Sequence, residues 1–543
     1  EVDTSNFKAV LYTGNGSTQY ISNVGFEPDM VWAKARSNTH PHVVFDIVKG
    51  ENKQINPDET SAEVTRTSGA YEFETNGFTV STAGNSNNNN YTYVAWCWKG
   101  GGLLNKSASF NGSSSRIATG LTLPANSTMS FSFWLKLASN SSGNNYFLSD
   151  FDSAGSNNSS RLSLAVSTNN GLRIWMSNGS SNWDSTDAID LSSYVDIWMN
   201  LVIVINGTNL NVYVNGGTPT TLTSTVSFGT AGSRQQYIGG VGGNNGASYE
   251  GSIDQVRVFN KAISASEVTT LYNETASTIN TLQVLGDTSC IAAYPLGVGA
   301  GDIGNTYSGT PTNVTFNNPG HLTRNNSGTI ESTVSANTEA GFSIVKWTGS
   351  GTSGDTVGHG LAPADTSMLV IMKDLSAAND WMVITNNLWS SAHQRFLKIN
   401  TSAGIGTSSG TNIYNVNNTT FKNDYRNTSG NNYIAYCWHL VPGYSKIGNY
   451  TGNLSGVSVT TGFNPSFVMI KRSDSTGNWF IYDSARSNGD TFDDFLHPNL
   501  SAAETTNNST YEINATATGF NVVGAGDGQT NASGGTFIYM AFK

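Results

Sequence analysis

Apolar and polar residues alternate along this chain in short runs, and the runs recur. Tyr93-Val-Ala-Trp-Cys-Trp puts Val94, Trp96 and Trp98 on one side of an extended strand and Tyr93, Ala95 and Cys97 on the other. Both sides are apolar, which predicts a central strand covered on both faces. Met30-Val-Trp-Ala-Lys and Phe467-Val-Met-Ile-Lys read the same way. Clusters of Gly, Asn and Ser at 84–90 and 524–535 mark turns.

The strand signature is copied. The Val94-Ala-Trp-Cys-Trp run returns as Ile434-Ala-Tyr-Cys-Trp and as Ile538-Tyr-Met-Ala-Phe. Each closes a block opened by an aromatic and Thr-Gly, at Tyr12, Trp347 and Tyr450. Inside the blocks, Gly25-Phe-Glu-Pro matches Gly462-Phe-Asn-Pro and, more loosely, Gly360-Leu-Ala-Pro. Asn76-Gly-Phe-Thr-Val matches Thr518-Gly-Phe-Asn-Val. The blocks are domain-sized, so each is expected to form a compact β-sandwich with its own small core. Modular surface proteins and fibres are built from such copies, and single catalytic sites rarely are.

Residues 103–276 carry a different pattern. Phe131, Phe133 and Leu135 alternate strictly, and the runs 201–207 and 210–217 follow with Asn-Gly turns that supply the positive φ a hairpin needs. Ser264-Ala-Ser-Glu267 is a capping-box signature and predicts one short helix running to about Thr275.

Composition fits a polar, neutral-surfaced β protein. Charged residues are 12%, about half the ordinary share, while aromatics at 11% suffice for real cores. A net charge of −11 argues against a nucleic-acid partner, which selects a basic stripe. No run of 18 apolar residues occurs, so no membrane span is expected. The first residues show neither an initiator Met nor a secretory leader, the pattern expected of a processed or truncated chain. Three cysteines make no disulfide framework. Cys97 and Cys437 share one repeat position, and the third copy has Ala541 there, which predicts small buried side chains.

The stretch 103–276 resembles the laminin-G-like, concanavalin A-like family. The residues that carry the resemblance are Phe110-Asn-Gly-Ser-Ser-Ser, Phe131-Ser-Phe-Trp-Leu, Val212-Tyr-Val-Asn-Gly and Gly251-Ser-Ile-Asp-Gln-Val-Arg-Val-Phe-Asn-Lys. The resemblance implies a jelly roll of two curved antiparallel sheets, a fold often used to bind carbohydrate or cell surfaces. The repeats, through Tyr12-Thr-Gly-Asn-Gly-Ser, Val94-Ala-Trp-Cys-Trp-Lys and Gly443-Tyr-Ser-Lys, are similar to repeats in tail-fibre and other virion proteins of tailed phages, notably marine ones. That resemblance implies a virion appendage.

The expected fold is therefore all-β and multidomain. A first β-sandwich repeat spans 1–101, a laminin-G-like jelly roll 102–276, and second and third repeats 331–442 and 443–543. Residues 277–330 leave two readings open: a β connector, or laminin-G-like opening strands that fold back onto the sandwich. Cys290-Ile-Ala-Ala-Tyr-Pro-Leu resembles such an opening.

Aromatics in polar loops are the candidates for sugar contact, since rings take apolar C–H faces while Asn and Asp pair with hydroxyls. Trp183-Asp184 and Tyr249-Glu250 are the two such places. Trp96, Trp98, Trp134, Trp198 and Trp438 sit in strand patterns and are expected in cores. Asp150 and Asp152, near Asn157 and Asn158, are candidate oxygen ligands for Ca²⁺. His40-Pro-His42 reads as a loop, and Asp493-Asp494 as a polar turn. Retaining glycosidases on this fold need two carboxylates about 5 Å apart. The Glu-x-Asp-x-x-Glu arrangement is absent, since Glu1 and Asp3 are followed by Asn6. No enzyme and no catalytic residue is expected.

The function these features point to is a structural appendage protein on the virion surface, of tail-fibre or head-fibre type. Its jelly roll would engage a host-surface glycan or protein, and its other partners would be virion proteins. A homo-oligomer, with a trimer as the prior for a fibre, is expected. The alternatives are a capsid or tail decoration protein, a secreted bacterial adhesin, and a glycan depolymerase.

Overall fold

The computed structural model describes the chain apart from residues 1–5, 51, 70, 83, 102–105, 125–126, 139–143, 152–161, 229–233, 243–247, 275–280, 298, 320–323, 362, 364–366, 389–393, 409–413, 424–426, 488 and 524–527. It is nearly all β, as the alternation predicts, and falls into two compact units. One holds 1–103 and 325–543; the other holds 104–324.

In the first unit each repeat is a β-sandwich. The first repeat pairs Phe7–Thr13, Thr92–Trp98, Met30–Ala35 and Val43–Asp46 in one antiparallel sheet. A smaller sheet of Gln19–Ile21, Gly77–Val80 and Tyr71–Glu74 covers it. The third repeat has the same central set: Ser445–Thr451, Thr536–Phe542, Phe467–Arg472 and Trp479–Asp483. The second repeat has Phe342–Thr348, Asn432–His439, Met368–Asp374 and Met382–Thr385, and adds Ser332–Asn337 on its edge. Between its two sheets each repeat owns a core. Cys97, Cys437 and Ala541 all lie in these cores, as small side chains with no room to spare.

The other faces of the three central sheets pack on one another and share a further core. Trp96, Trp98, Tyr436, Trp438, Met540 and Phe542 all belong to it. Trp98 is 1% exposed and its ring lies 5.0 Å from Phe7, 5.9 Å from Trp438 and Phe467, and 6.0 Å from Phe542.

Polar contacts across the shared core run in a cycle. The registers Met30↔Asp46, Leu369↔Thr385 and Phe467↔Asp483 make His42, Trp381 and Trp479 equivalent positions. Trp381 Nε1 donates to the Asn56 carbonyl at 2.9 Å, from second repeat to first. Trp479 Nε1 donates to the Lys398 carbonyl at 2.9 Å, from third to second. His42 Nε2 meets the His497 carbonyl at 3.0 Å, from first to third. His42 Nδ1 accepts from Trp32 Nε1, so the proton sits on Nε2 and donates. The Asp positions follow the same cycle. Asp46 accepts from Tyr436 at 2.6 Å and Asp483 accepts from Trp96 at 2.8 Å. At the remaining junction the equivalent positions hold Thr385 and Met540, which replace a buried charge by less polar groups, a swap that is often close to neutral.

Burial keeps three imidazoles of this unit neutral. His42 lies well below the usual histidine range, burial pushes His359 down to about 4, and burial lowers His497 as well. The unfolded chain protonates all three near pH ~6.5, so stability falls as pH drops below that value. Asp58 has the opposite sign. Burial raises its carboxyl to about 7, so the folded unit takes up a proton there that the unfolded chain takes only near pH ~4. Asp58 is outweighed by the histidines, which leaves a net loss toward acid. The expected calorimetric result is a lower melting temperature for this unit at about pH 5 than at about pH 7.5, and a steeper loss in Asp58→Asn. A flat profile between those pH values would count against it.

The second unit is a sandwich of two large antiparallel sheets. The strands Thr128–Leu137, Trp198–Asn206 and Glu250–Phe259 anchor one sheet; Leu162–Val166 and Gly171–Ser177 belong to the other. Phe131, Phe133 and Leu135 point into the core between them, as their alternation predicts. Of the segment 277–330, the strands up to Pro319 are part of this sandwich, while the residues from Asn325 on belong to the second repeat. Cys290–Tyr294 pairs with Glu250–Phe259, Thr310–Thr312 with Arg116–Thr122, and Thr315–Pro319 with Lys106–Asn111. This corrects the connector reading: three edge strands gain ladder partners on both sheets, which a free-standing connector would leave exposed. The helix Ala265–Tyr272 carries the complete capping box of Ser264 and Glu267, and ends at its Asn273 cap, short of Thr275.

Candidate functional site

Adjacent residues on a strand face opposite sides of the sheet. On Gly171–Ser177, Leu172, Ile174 and Met176 enter the core, so Arg173 and Trp175 project from the outer face. On Asn182–Asp184, Trp183 lies opposite Met176 and packs against the core, while Asp184 lies opposite Trp175. The Trp183-Asp184 pair is thus split by the sheet. Asp184 belongs to the outer face, while Trp183, half-buried, lies on the inner one, so the two do not share a site.

Asp184 and Arg173 form a fork. Arg173 Nε is 3.1 Å from both carboxylate oxygens and Nη2 is 2.6 Å from Oδ2. Burial alone would raise the Asp184 pKa, but the Arg173 hydrogen bonds and one from the Thr186 backbone hold it below its ordinary value. Arg173 Nη1 also donates to Asn144 at 3.3 Å. The guanidinium carbon lies 4.2 Å from the centre of the Trp175 ring, a cation–π contact. Tyr146 stacks beside Trp175 at 5.5 Å and 24°, and Phe151 closes the cluster edge-on at 5.3 Å from Tyr146. Tyr146, Trp175, Arg173 and Asp184 are all half-buried. Burial pushes the Tyr146 phenol up to about 12, so it stays a neutral donor.

Between Trp175 and Tyr146 the sheet offers small residues. Ser163 is opposite Trp175, and Ala165 is opposite both Arg173 and Tyr146. The result is an outer face with aromatic ring edges, one planar cation, one ionised carboxylate and an amide. This set can take apolar C–H surface and hydroxyl groups together.

The other expected site residues lie elsewhere. Tyr249 is 1% exposed, its ring against Phe110 and Phe147, so it is a core residue and its ligand role is corrected. Glu250 is half-buried at the start of its strand, against Gly112. Asp150 is buried and Asp152 lies outside the described residues. Among the described residues no group of three or more His, Cys, Asp or Glu is placed to hold a metal ion. The Trp175 cluster was missed although a signal existed: Gly171-Leu-Arg-Ile-Trp-Met has a tryptophan in the polar phase of an amphipathic strand.

Comparison with known protein families agrees with a jelly roll in this part of the chain. Residues 110–269 match the concanavalin A-like lectin/glucanases superfamily. Among solved structures, the chain is similar to the native heptameric SAP-like pentraxin of Limulus polyphemus, at 20% identity, covering 32% of this chain and 83% of that one, with a TM-score of 0.25. It is also similar to domain 4 of a GH43 extracellular arabinanase from Geobacillus stearothermophilus in complex with arabinotriose, at 20% identity, 31% and 76% coverage and a TM-score of 0.25. The mouse laminin alpha1 chain domains LG4-5 match at 9% identity, 46% and 88% coverage and a TM-score of 0.21. No curated protein matches the chain. No helix among the described residues is long and apolar enough to cross a membrane. A second family pattern runs over residues 3–182 and 213–543, embracing repeats and jelly roll alike, and by that match the chain belongs to the family described as a domain of unknown function, DUF7483.

Proposed function

We propose that the chain is a structural appendage protein of a virion, displayed on the particle surface, and that its jelly roll binds a host-surface glycan through the outer face around Trp175. The observation that carries the binding part is the half-exposed Tyr146–Trp175–Arg173–Asp184 cluster on a strand whose other phase is core. The appendage part is supported by the likeness of the repeats to those of tail-fibre and other virion proteins.

Binding without cleavage is the proposed chemistry. A general acid needs a raised carboxyl pKa, and the Arg173 fork holds Asp184 in the opposite direction.

The test is a glycan array on the full chain, followed by titration of the best hit. Trp175→Ala is expected to weaken binding by about tenfold or more, the equivalent of about 1.4 kcal/mol, with the melting temperature of the jelly roll little changed. Undiminished binding by Trp175→Ala would move the site off this face. Immunogold labelling of particles tests the location, and particles that carry no label would remove the appendage role.

A further inference from the structure

Because the three repeats meet in a cycle, equivalent slots recur at successive junctions. At the junction of the second repeat with the first, the slot is filled. The strand Ser332–Asn337 lies antiparallel on the edge of Phe342–Thr348, with Val334 opposite Val345 and Ala336 opposite Ser343. Its side chains close over Gly360: a Cβ added there would stand 2.6 Å from Val334 Cγ1 and 3.1 Å from Ala336 Cβ. Toward the first repeat, Ser335 Oγ lies 3.4 Å from Asp29 Oδ1, and Asn337 donates to the Lys99 carbonyl at 3.3 Å.

At the junction of the first repeat with the third, the corresponding slot is an open groove of about 690 Å³. The correspondence is positional. Phe7↔Trp98 and Phe342↔Trp438 align the edge strands, so Ala9 stands where Ile344 does and Lys8 where Ser343 does. Gly25-Phe-Glu-Pro aligns with Gly360-Leu-Ala-Pro. Asp29 N donates to the Trp98 carbonyl as Ser466 N donates to the Phe542 carbonyl, so Ser466 takes the place of Asp29 and Lys543 that of Lys99. Val48 N and Ala485 N each donate to the Asp that ends the preceding strand, so Ala485 takes the place of Val48.

Three of these replacements widen the slot: Ala9 for Ile344, Ser466 for Asp29 and Ala485 for Val48. Nothing lies within 4 Å of a Cβ built on Gly25, where Gly360 meets the inserted strand. Among the described residues the Phe7–Thr13 strand ends its sheet, with Thr92–Trp98 as its neighbour on the inner side. A sheet edge carries a row of backbone donors and acceptors ready to pair with another strand. Lys8 adds a cation absent from the filled slot, and with the exposed Lys543 it makes the groove basic.

We propose that this groove binds an extended peptide segment of a partner protein, added antiparallel to the Phe7–Thr13 edge. Main-chain hydrogen bonds supply the affinity, small apolar side chains fill the space over Gly25, and a carboxylate on the peptide meets Lys8 and Lys543. The Ser332–Asn337 strand shows the geometry within the same molecule.

The probe is a fluorescein-labelled peptide with the sequence of residues 331–337, titrated into the full chain by anisotropy, alongside the same peptide carrying Ala336→Asp. The Ala336 position is the one that falls opposite Lys8. Saturable binding is expected, several-fold tighter for the aspartate peptide. Ser484→Trp, a bulky side chain placed on an exposed residue of the groove wall, is expected to weaken both peptides by about tenfold or more while leaving the melting curve in place. Lys8→Glu, a second variant on an exposed side chain, is expected to reverse the preference between the two peptides. The proposal is overturned if neither peptide saturates at millimolar concentration, or if Ser484→Trp binds both unchanged. It is also overturned if the groove proves to join two copies of this chain, seen as concentration-dependent dimerisation that Ser484→Trp abolishes.

Discussion

Trp98→Ala is expected to lower the stability of the three-repeat unit by about 3–5 kcal/mol, the cost of truncating a fully buried tryptophan. The residue lies on the first repeat, but its ring touches aromatics of all three: Phe7, Phe342 and Trp438, Phe467 and Phe542. The cavity would therefore loosen the shared core rather than one sandwich. In calorimetry the repeats are expected to melt together, in a single transition shifted downward, with the jelly-roll transition in place. Cys97→Ala is the control. It removes a small group from the private core of the first repeat, where the third repeat already carries Ala541, and is expected to cost about 1 kcal/mol. Separate melting of the first repeat in Trp98→Ala would mean that the shared core does not couple the three.

The strand Thr92–Trp98 shows how far the sequence reaches. Its two apolar faces announce a strand covered on both sides, and both sides are covered. What covers the second side is not legible, because periodicity reports burial and not the partner. The lysines that end the Met30-Val-Trp-Ala-Lys type of run illustrate the same limit. Lys373 is nearly fully buried and its Nζ donates to the Thr60 carbonyl in the first repeat, while Lys471 donates to the Ser402 carbonyl in the second. A charged strand end reads as a solvated terminus until the neighbouring repeat is in place. The segment 277–330 was ambiguous for a related reason: short edge strands have little side-chain pattern, and ladder pairing decides where they belong.

The site was half legible. Trp183 and Tyr249 stand in Gly-, Ser- and Asn-rich surroundings, which favours exposure on composition. The phase of the strand overrules composition in both cases. Each pairs with a neighbour that faces the other way, so Asp184 and Trp183 cannot serve one site. The tryptophan that does sit beside Asp184 is Trp175, nine positions earlier across a turn and invisible to a reading that looks for aromatics in loops.

In the jelly roll, Glu274→Ala is expected to cost about 3–5 kcal/mol, as a buried ion pair broken on one side does. Glu274 follows the Asn273 cap of the helix Ala265–Tyr272, whose Val268 and Leu271 pack on Val202, Val204 and Phe259 of the Thr128–Leu137 sheet. Its carboxylate lies 2.7 Å from Arg257 Nη1 and accepts from Trp134 Nε1 at 2.8 Å. Both side chains of the pair are at most 1% exposed. Alanine would leave the Arg257 charge in the interior without that carboxylate, and the desolvation of the guanidinium would lose that part of its compensation. The double change Arg257→Met with Glu274→Leu removes both charges and keeps apolar volume, so it is expected to recover most of the loss. Urea unfolding of the jelly-roll transition measures all three proteins. If the single variant unfolds no earlier than the double, the pair is not what holds the helix end to the sheet, and the stacking of Tyr272 on Trp134 at 5.8 Å would have to do so instead.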